Sequence, residues 1–138
     1  MRRRLVKDAA VATARTIFRC CEHERSSVLE SNPPKVTRFL EHITNRIDTL
    51  RATAVKNQLV SLSSNQVEVK HNNYCIINQL CGNVGKWTDA AYCNPSDYES
   101  ILNPVITGIS STTNIQEESC PSYPKLLCTR ERFDEVTV

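Results

Sequence analysis

The chain has 138 residues, of which 40% are hydrophobic and 23% charged; that supports one domain, or a small domain with an arm, and excludes a disordered chain. Three glycines and six prolines exclude collagen-like and flexible-linker compositions, and no apolar run is long enough to cross a bilayer. The net charge of +2 hides a gradient, with four surplus cations in residues 1–25 and four surplus anions in residues 71–138.

Arg2, Arg3, Arg4 and Lys7 form a basic arm suited to an anionic membrane or to nucleic acid. Val6, Ala10, Ala14, Ile17 and Cys21 recur at helical spacing, which predicts a helix from about Leu5 to Cys21. Phe18 is the one aromatic in this stretch, so base stacking is not indicated. Lys7, Asp8 and Arg15 break any apolar secretory leader, whereas the Arg-rich pattern also suits a mitochondrial targeting helix.

Asn32-Pro33-Pro34 ends one helix and opens the next. Val36, Leu40, Ile43, Ile47, Leu50 and Ala54 then follow 4-3-4-3-4 spacing, the seven-residue repeat of a coiled coil. The helix is predicted from Pro34 to about Leu62, roughly 40 Å long. Such a seam needs cover, from the first helix or from another chain. It is therefore the expected interaction seam, with a second copy or another helical protein as partner.

Ser61 to Asn65 interrupts the helix. Val67 and Val69, a turn at His71-Asn72-Asn73, and Tyr74-Cys75-Ile76-Ile77 predict a short hairpin. Ser96-x-x-Glu99 reads as a capping box that opens a short helix ended by Pro104. Residues 110–119 read as a polar connector, and the tail is acidic.

Seven cysteines are many for a reduced compartment, and five of them lie in the last 64 residues. Cys75, Cys81, Cys93, Cys120 and Cys128 are candidate disulfide partners, stapling a module too small to rely on burial; their pairing stays open. This usage favours an oxidising setting, extracellular or virion, with the mitochondrion as the alternative. A second use of the same residues is zinc, held by some of Cys20, Cys21, His23, His71, Cys75 and Cys81 with a ligand recruited from another segment.

Catalytic patterns are weak. Gly82 to Thr88 misses the phosphate-loop pattern, because Leu80 stands where its first glycine belongs and Trp87 follows Lys86. Cys20 and His23 can share a helical face, yet no oxyanion loop accompanies them, and no G-x-S-x-G occurs. No catalytic residue is assigned.

The heptad helix, the polar stretch after it and Cys75-Ile76-Ile77-Asn78-Gln79-Leu80-Cys81 together resemble the core of class I viral fusion subunits over about residues 36–87. That resemblance implies a small disulfide loop that reverses the chain. The sequence departs from the pattern in lacking a fusion peptide, a second heptad helix and a membrane anchor, so no functional residue is carried over.

Together these patterns predict a mainly α fold: a helical hairpin or bundle with one long heptad-patterned helix, then a small cysteine-rich α/β or irregular module. The divisions fall at residues 1–31, 32–64 and 65–138. The expected function is a non-enzymatic structural or protein-interaction role, with no cofactor and no small-molecule substrate. The alternative is a zinc-stabilised adaptor whose basic N-terminus binds nucleic acid or an anionic membrane.

Overall fold

An apolar stripe on a helix can be covered by another helix or by a sheet. Here it is covered by a sheet. The structure, a computed structural model, describes residues 14–17, 29, 34–38, 41–67, 74–78 and 94–138. Among these residues one complete helix, α1 (Glu41–Lys56), is joined by seven strands: β1 (Ser61–Ser63), β2 (Tyr74–Asn78), β3 (Tyr98–Leu102), β4 (Gly108–Ile109), β5 (Thr113–Cys120), β6 (Tyr123–Phe133) and β7 (Val136–Thr137). The predicted helical bundle is thereby overturned: among the described residues strand outweighs helix.

β1, β2 and β3 form an antiparallel sheet with β2 in the middle. The register sets Leu62 opposite Ile76, and Ile76 opposite Ser100. Alternation along the strands then puts Leu62, Tyr74, Ile76 and Tyr98 on one face. All four are buried, and they join Ile43, Ile47, Leu50 and Ala54 of α1 and Val67 in a single core. Four of the six seam positions thus lie inside the chain, against its own sheet. Val36 packs on the edge of this core, where Asn103 clamps it: Val36 N–H donates to Asn103 Oδ1 at 2.7 Å, and Asn103 Nδ2 donates to Val36 O at 2.8 Å. Leu40 lies outside the described residues. No coiled coil is formed by α1, because its stripe is wider than a two-residue seam: Thr53 is also fully buried. Thr53 is satisfied there, since its hydroxyl donates to Thr49 O at 2.7 Å and accepts from Arg15 N–H at 3.0 Å.

α1 ends earlier than predicted. Leu59 N–H donates to Ala54 O at 2.9 Å and Gln58 N–H to Val55 O at 3.2 Å, the paired bonds of a Schellman stop. That stop needs a left-handed residue, and Gln58 supplies it at φ 54° where glycine is usual. Gln58→Gly is therefore expected to stabilise the fold by about 1 kcal/mol, read as a shift in the urea midpoint at constant slope.

Cys75 lies in the middle strand, with Ser63 opposite on β1 and Ile101 opposite on β3. It is in sheet rather than in a chain-reversing loop, so the likeness to fusion subunits fails there. The predicted hairpin is right about β2 but wrong about its partner, which is Ser61–Ser63 instead of the stretch around Val67. The predicted helix after Ser96 is also replaced. Asn94 N–H donates to the Asp97 carboxylate at 2.6 Å, Pro95–Asp97 makes one 3-10 turn, and Tyr98 then enters β3.

The expected polar connector at 110–119 is mostly strand. β5 pairs with β6 in a long antiparallel ribbon, and β4 pairs with β7. Cys75, Cys120 and Cys128 are free thiols, so the disulfide staple is not made by the described cysteines. Cys81 and Cys93 lie outside the described residues, as do Cys20, Cys21, His23, His71, Arg2, Arg3, Arg4 and Lys7.

Candidate active site

Directly after β1 the chain makes a 3-10 turn, Ser64–Gln66. The Gln66 side chain reaches back, and Ser63 N–H donates to its Oε1 at 2.8 Å. One end of the amide is thus fixed by the backbone that precedes it. The other end faces the β5–β6 connection: Gln66 Nε2 donates to Cys120 Sγ at 3.6 Å and to Ser122 Oγ at 3.3 Å. Ser122 is buried. A single side chain therefore joins the core sheet to the ribbon, across 54 residues of sequence to Cys120.

The ribbon is irregular at this point. Ser119 pairs with Leu127 but Cys120 pairs with Tyr123, which leaves Pro124, Lys125 and Leu126 as extra residues on β6. Lys125 takes φ 71° within that bulge. Bulges and left-handed residues re-aim side chains, and they concentrate at functional sites. Between the bulge and the chain leaving α1 lies a cleft of about 560 Å³, lined among others by Leu59, Ser61, Gln66, Cys120, Tyr123 and Lys125. The wall at Leu59 is held by Tyr98, whose hydroxyl donates to Leu59 O from the core.

Beside Cys120, on the same strand, Glu118 receives both Arg132 Nε (2.5 Å) and Nη2 (2.6 Å). The hydrogen bonds from Arg132 hold the Glu118 carboxyl below its ordinary range; desolvation opposes them, and the Arg132 and Arg130 charges add to the lowering. A lowered folded pKa means that the stabilising contribution is present above the unfolded value and is lost as pH falls through the folded one. Carbon-detected NMR titration of Glu118 is expected to give a midpoint below the model-peptide value of about 4.3, and Arg132→Gln is expected to raise it.

Cys120 is the single ligand-type side chain lining the cleft, and no three His, Cys, Asp or Glu side chains gather closely enough to hold a metal among the described residues. A structural or catalytic divalent ion needs three or four protein donors, so the described residues do not by themselves complete a metal site. Of the proposed zinc ligands, Cys75 alone is described. It lies in the middle strand of the core sheet, where burial raises its pKa.

Residues 19–138 match the family model described as polypeptide deformylase. The chain belongs to that family. Solved peptide deformylases share the fold. The enzyme from Thermotoga maritima is 22% identical with a TM-score of 0.69, over 89% of this chain and 70% of that one. The Acinetobacter baumannii class I type b enzyme with Met-Ala-Ser bound is 20% identical with a TM-score of 0.69, over 91% and 74%. The Ehrlichia chaffeensis enzyme in complex with actinonin is 22% identical with a TM-score of 0.70, over 90% and 66%. No curated protein matches the sequence significantly.

Family membership and the packing of α1 together overturn three expectations. A family of hydrolytic enzymes replaces the non-enzymatic structural role. Bound Met-Ala-Ser and actinonin in the solved relatives replace the expectation of no small-molecule substrate. Sheet packing of α1 removes the exposed seam on which a helical partner was expected. Peptide deformylases are metalloenzymes, so of the two cofactor readings the family favours the metal-holding one.

The sequence reading missed Gln66 and Ser122, and it assigned Cys120 to a disulfide. Gln66 directly follows what looks like a plain helix breaker, Ser61 to Asn65. Cys120-Pro121-Ser122 has no ligand spacing around it. The one signal that was available is the concentration of proline about Cys120 and Tyr123, which marks a turn that cannot continue a ladder.

Proposed function

We propose that the cleft binds an N-formyl peptide and that the protein removes the formyl group by hydrolysis. The single observation that carries this reading is the fixed Gln66 amide at Cys120 and Ser122, in a chain whose family acts on that bond. In the reaction water adds to the formyl carbon, the carbon–nitrogen bond breaks, the amine nitrogen takes a proton, and formate leaves. Gln66 is held from both ends before any ligand arrives. Turning the Nε2 hydrogen that rests on Ser122 toward the formyl oxygen would set a preorganised donor against the charge that develops there. Apolar Leu59 and Leu126 in the cleft wall suit an apolar first side chain.

If a metal serves the reaction, zinc is the ion best matched to a cleft whose ligand-type group is a cysteine. Its remaining donors would come from outside the described residues, and no step is assigned to it. The test is formate release from N-formyl-Met-Ala-Ser by protein purified without chelator, with metal content measured on the same sample. Formate release above a heat-treated control, abolished by Cys120→Ala, is expected. Binding of the peptide with no release would reduce the reading to a peptide-binding member of the family, and absence of both would overturn it.

A further inference from the structure

The cleft continues beyond the bulge. A second recess of about 450 Å³ adjoins it, and the two share Leu59, Pro121 and Pro124. Its far wall is the end of α1 together with residues 14–17, which are tied to the helix where Arg15 N–H donates to Thr53 Oγ1. Among the described residues, Arg15 and Lys56 line this recess and no carboxylate does. Lys125 lines the first cleft, again with no carboxylate among the described residues. The groove therefore carries cations along its length and no anion among the described residues. Neither Arg15 nor Lys56 belongs to an ion pair among those residues.

A helix C-terminus ordinarily repels an anion, because its last carbonyls are unpaired. Here three of them are occupied. Thr53 O accepts from Asn57 N–H and from Asn57 Nδ2, Ala54 O accepts from Leu59 N–H, and Val55 O accepts from Gln58 N–H. The carbonyl repulsion is blunted while the charge of Lys56 remains, exposed at the rim.

We propose that this second recess takes an acidic side chain of a peptide whose N-terminal residues occupy the first cleft, with Lys56 and Arg15 as the selecting groups. The proposal rests on the peptide reading of the first cleft. An extended peptide advances about 3.3 Å per residue, so recesses in series place the selected side chain several residues after the one held at Cys120. Both cations stand on exposed stems, so selection comes from charge rather than shape and weakens with salt.

The test is fluorescence anisotropy with two formylated peptides, each Met-Ala-Ser followed by three Glu or by three Gln and labelled at the C-terminus. The Glu peptide is expected to bind about fivefold tighter at low salt, the gain available from two exposed ion pairs. The advantage is expected to close near ~0.5 M salt, where the Debye length is only a few ångström. Lys56→Gln and Arg15→Gln are each expected to lower the Glu-to-Gln affinity ratio in protein whose circular dichroism matches the wild type. Binding of both peptides with equal affinity, or a ratio that neither variant changes, overturns the second recess alone. Failure of both peptides to bind overturns the first cleft and the second with it.

Discussion

Ile47→Asp is expected to abolish the cooperative unfolding transition, not to split an oligomer. Ile47 is 4% exposed and lies between Ile43 and Leu50, which are both fully buried. A carboxylate there has no partner within the apolar core, and an unpaired buried charge costs several kcal/mol. The whole stability of a domain this size is about 5–15 kcal/mol, and the truncation of Ile47 itself removes about 2–5 kcal/mol more than a polar surface change would. Ile47→Val serves as the control, since it keeps shape and apolarity and is expected to cost about 0.5–1.5 kcal/mol. Urea melts followed by circular dichroism measure both. If Ile47→Asp keeps a wild-type melt and changes only the mass in light scattering, α1 presents its stripe outward and the sheet packing is wrong.

That contrast shows where the sequence was readable. The 4-3 spacing of Ile43, Ile47, Leu50 and Ala54 locates a helix and its buried side without naming what buries it. A helix on a sheet and a helix in a coil share this spacing. Thr53 holds the difference, because a fully buried threonine broadens the face beyond a two-residue seam. Its hydroxyl accepts from Arg15 N–H, 38 residues away, a contact that no local pattern displays. β2 was legible because Tyr74, Cys75 and Ile76 form an apolar run in which alternate residues are buried. β5 was not, because TNIQEESC has the composition of a loop. It is a strand because β6 supplies its hydrogen bonds, and the ribbon leaves Ile115 and Leu127 more than half exposed, so no apolar alternation was required of it. The cysteines misled in a physical way. Their number suggested oxidation, yet Cys75 is a small apolar filler in a strand and Cys120 takes a hydrogen bond from Gln66.

Gln66→Glu is expected to lower kcat/KM for formate release by about 100-fold, the usual cost of losing one preorganised donor at a developing oxyanion. The substitution separates position from stability. Glu keeps the Oε1 that accepts from Ser63 N–H, so the 3-10 turn after β1 is expected to persist and the thermal midpoint to shift by only a few degrees. What it loses is the N–H donor to Cys120 Sγ and Ser122 Oγ. Ser122 can turn its hydroxyl to donate to the new carboxylate, whereas the sulfur then faces oxygen where it had faced N–H. Gln66→Ala removes both ends of the bridge, so it is expected to match the loss of activity and to add about 1–2 kcal/mol of destabilisation from the unsatisfied Ser63 N–H. A peptide that binds Gln66→Glu with wild-type affinity while formate release collapses places Gln66 at the reacting group. Wild-type turnover by Gln66→Glu would show instead that the amide only braces the ribbon against the sheet, and the reaction would have to be carried by other groups in the cleft.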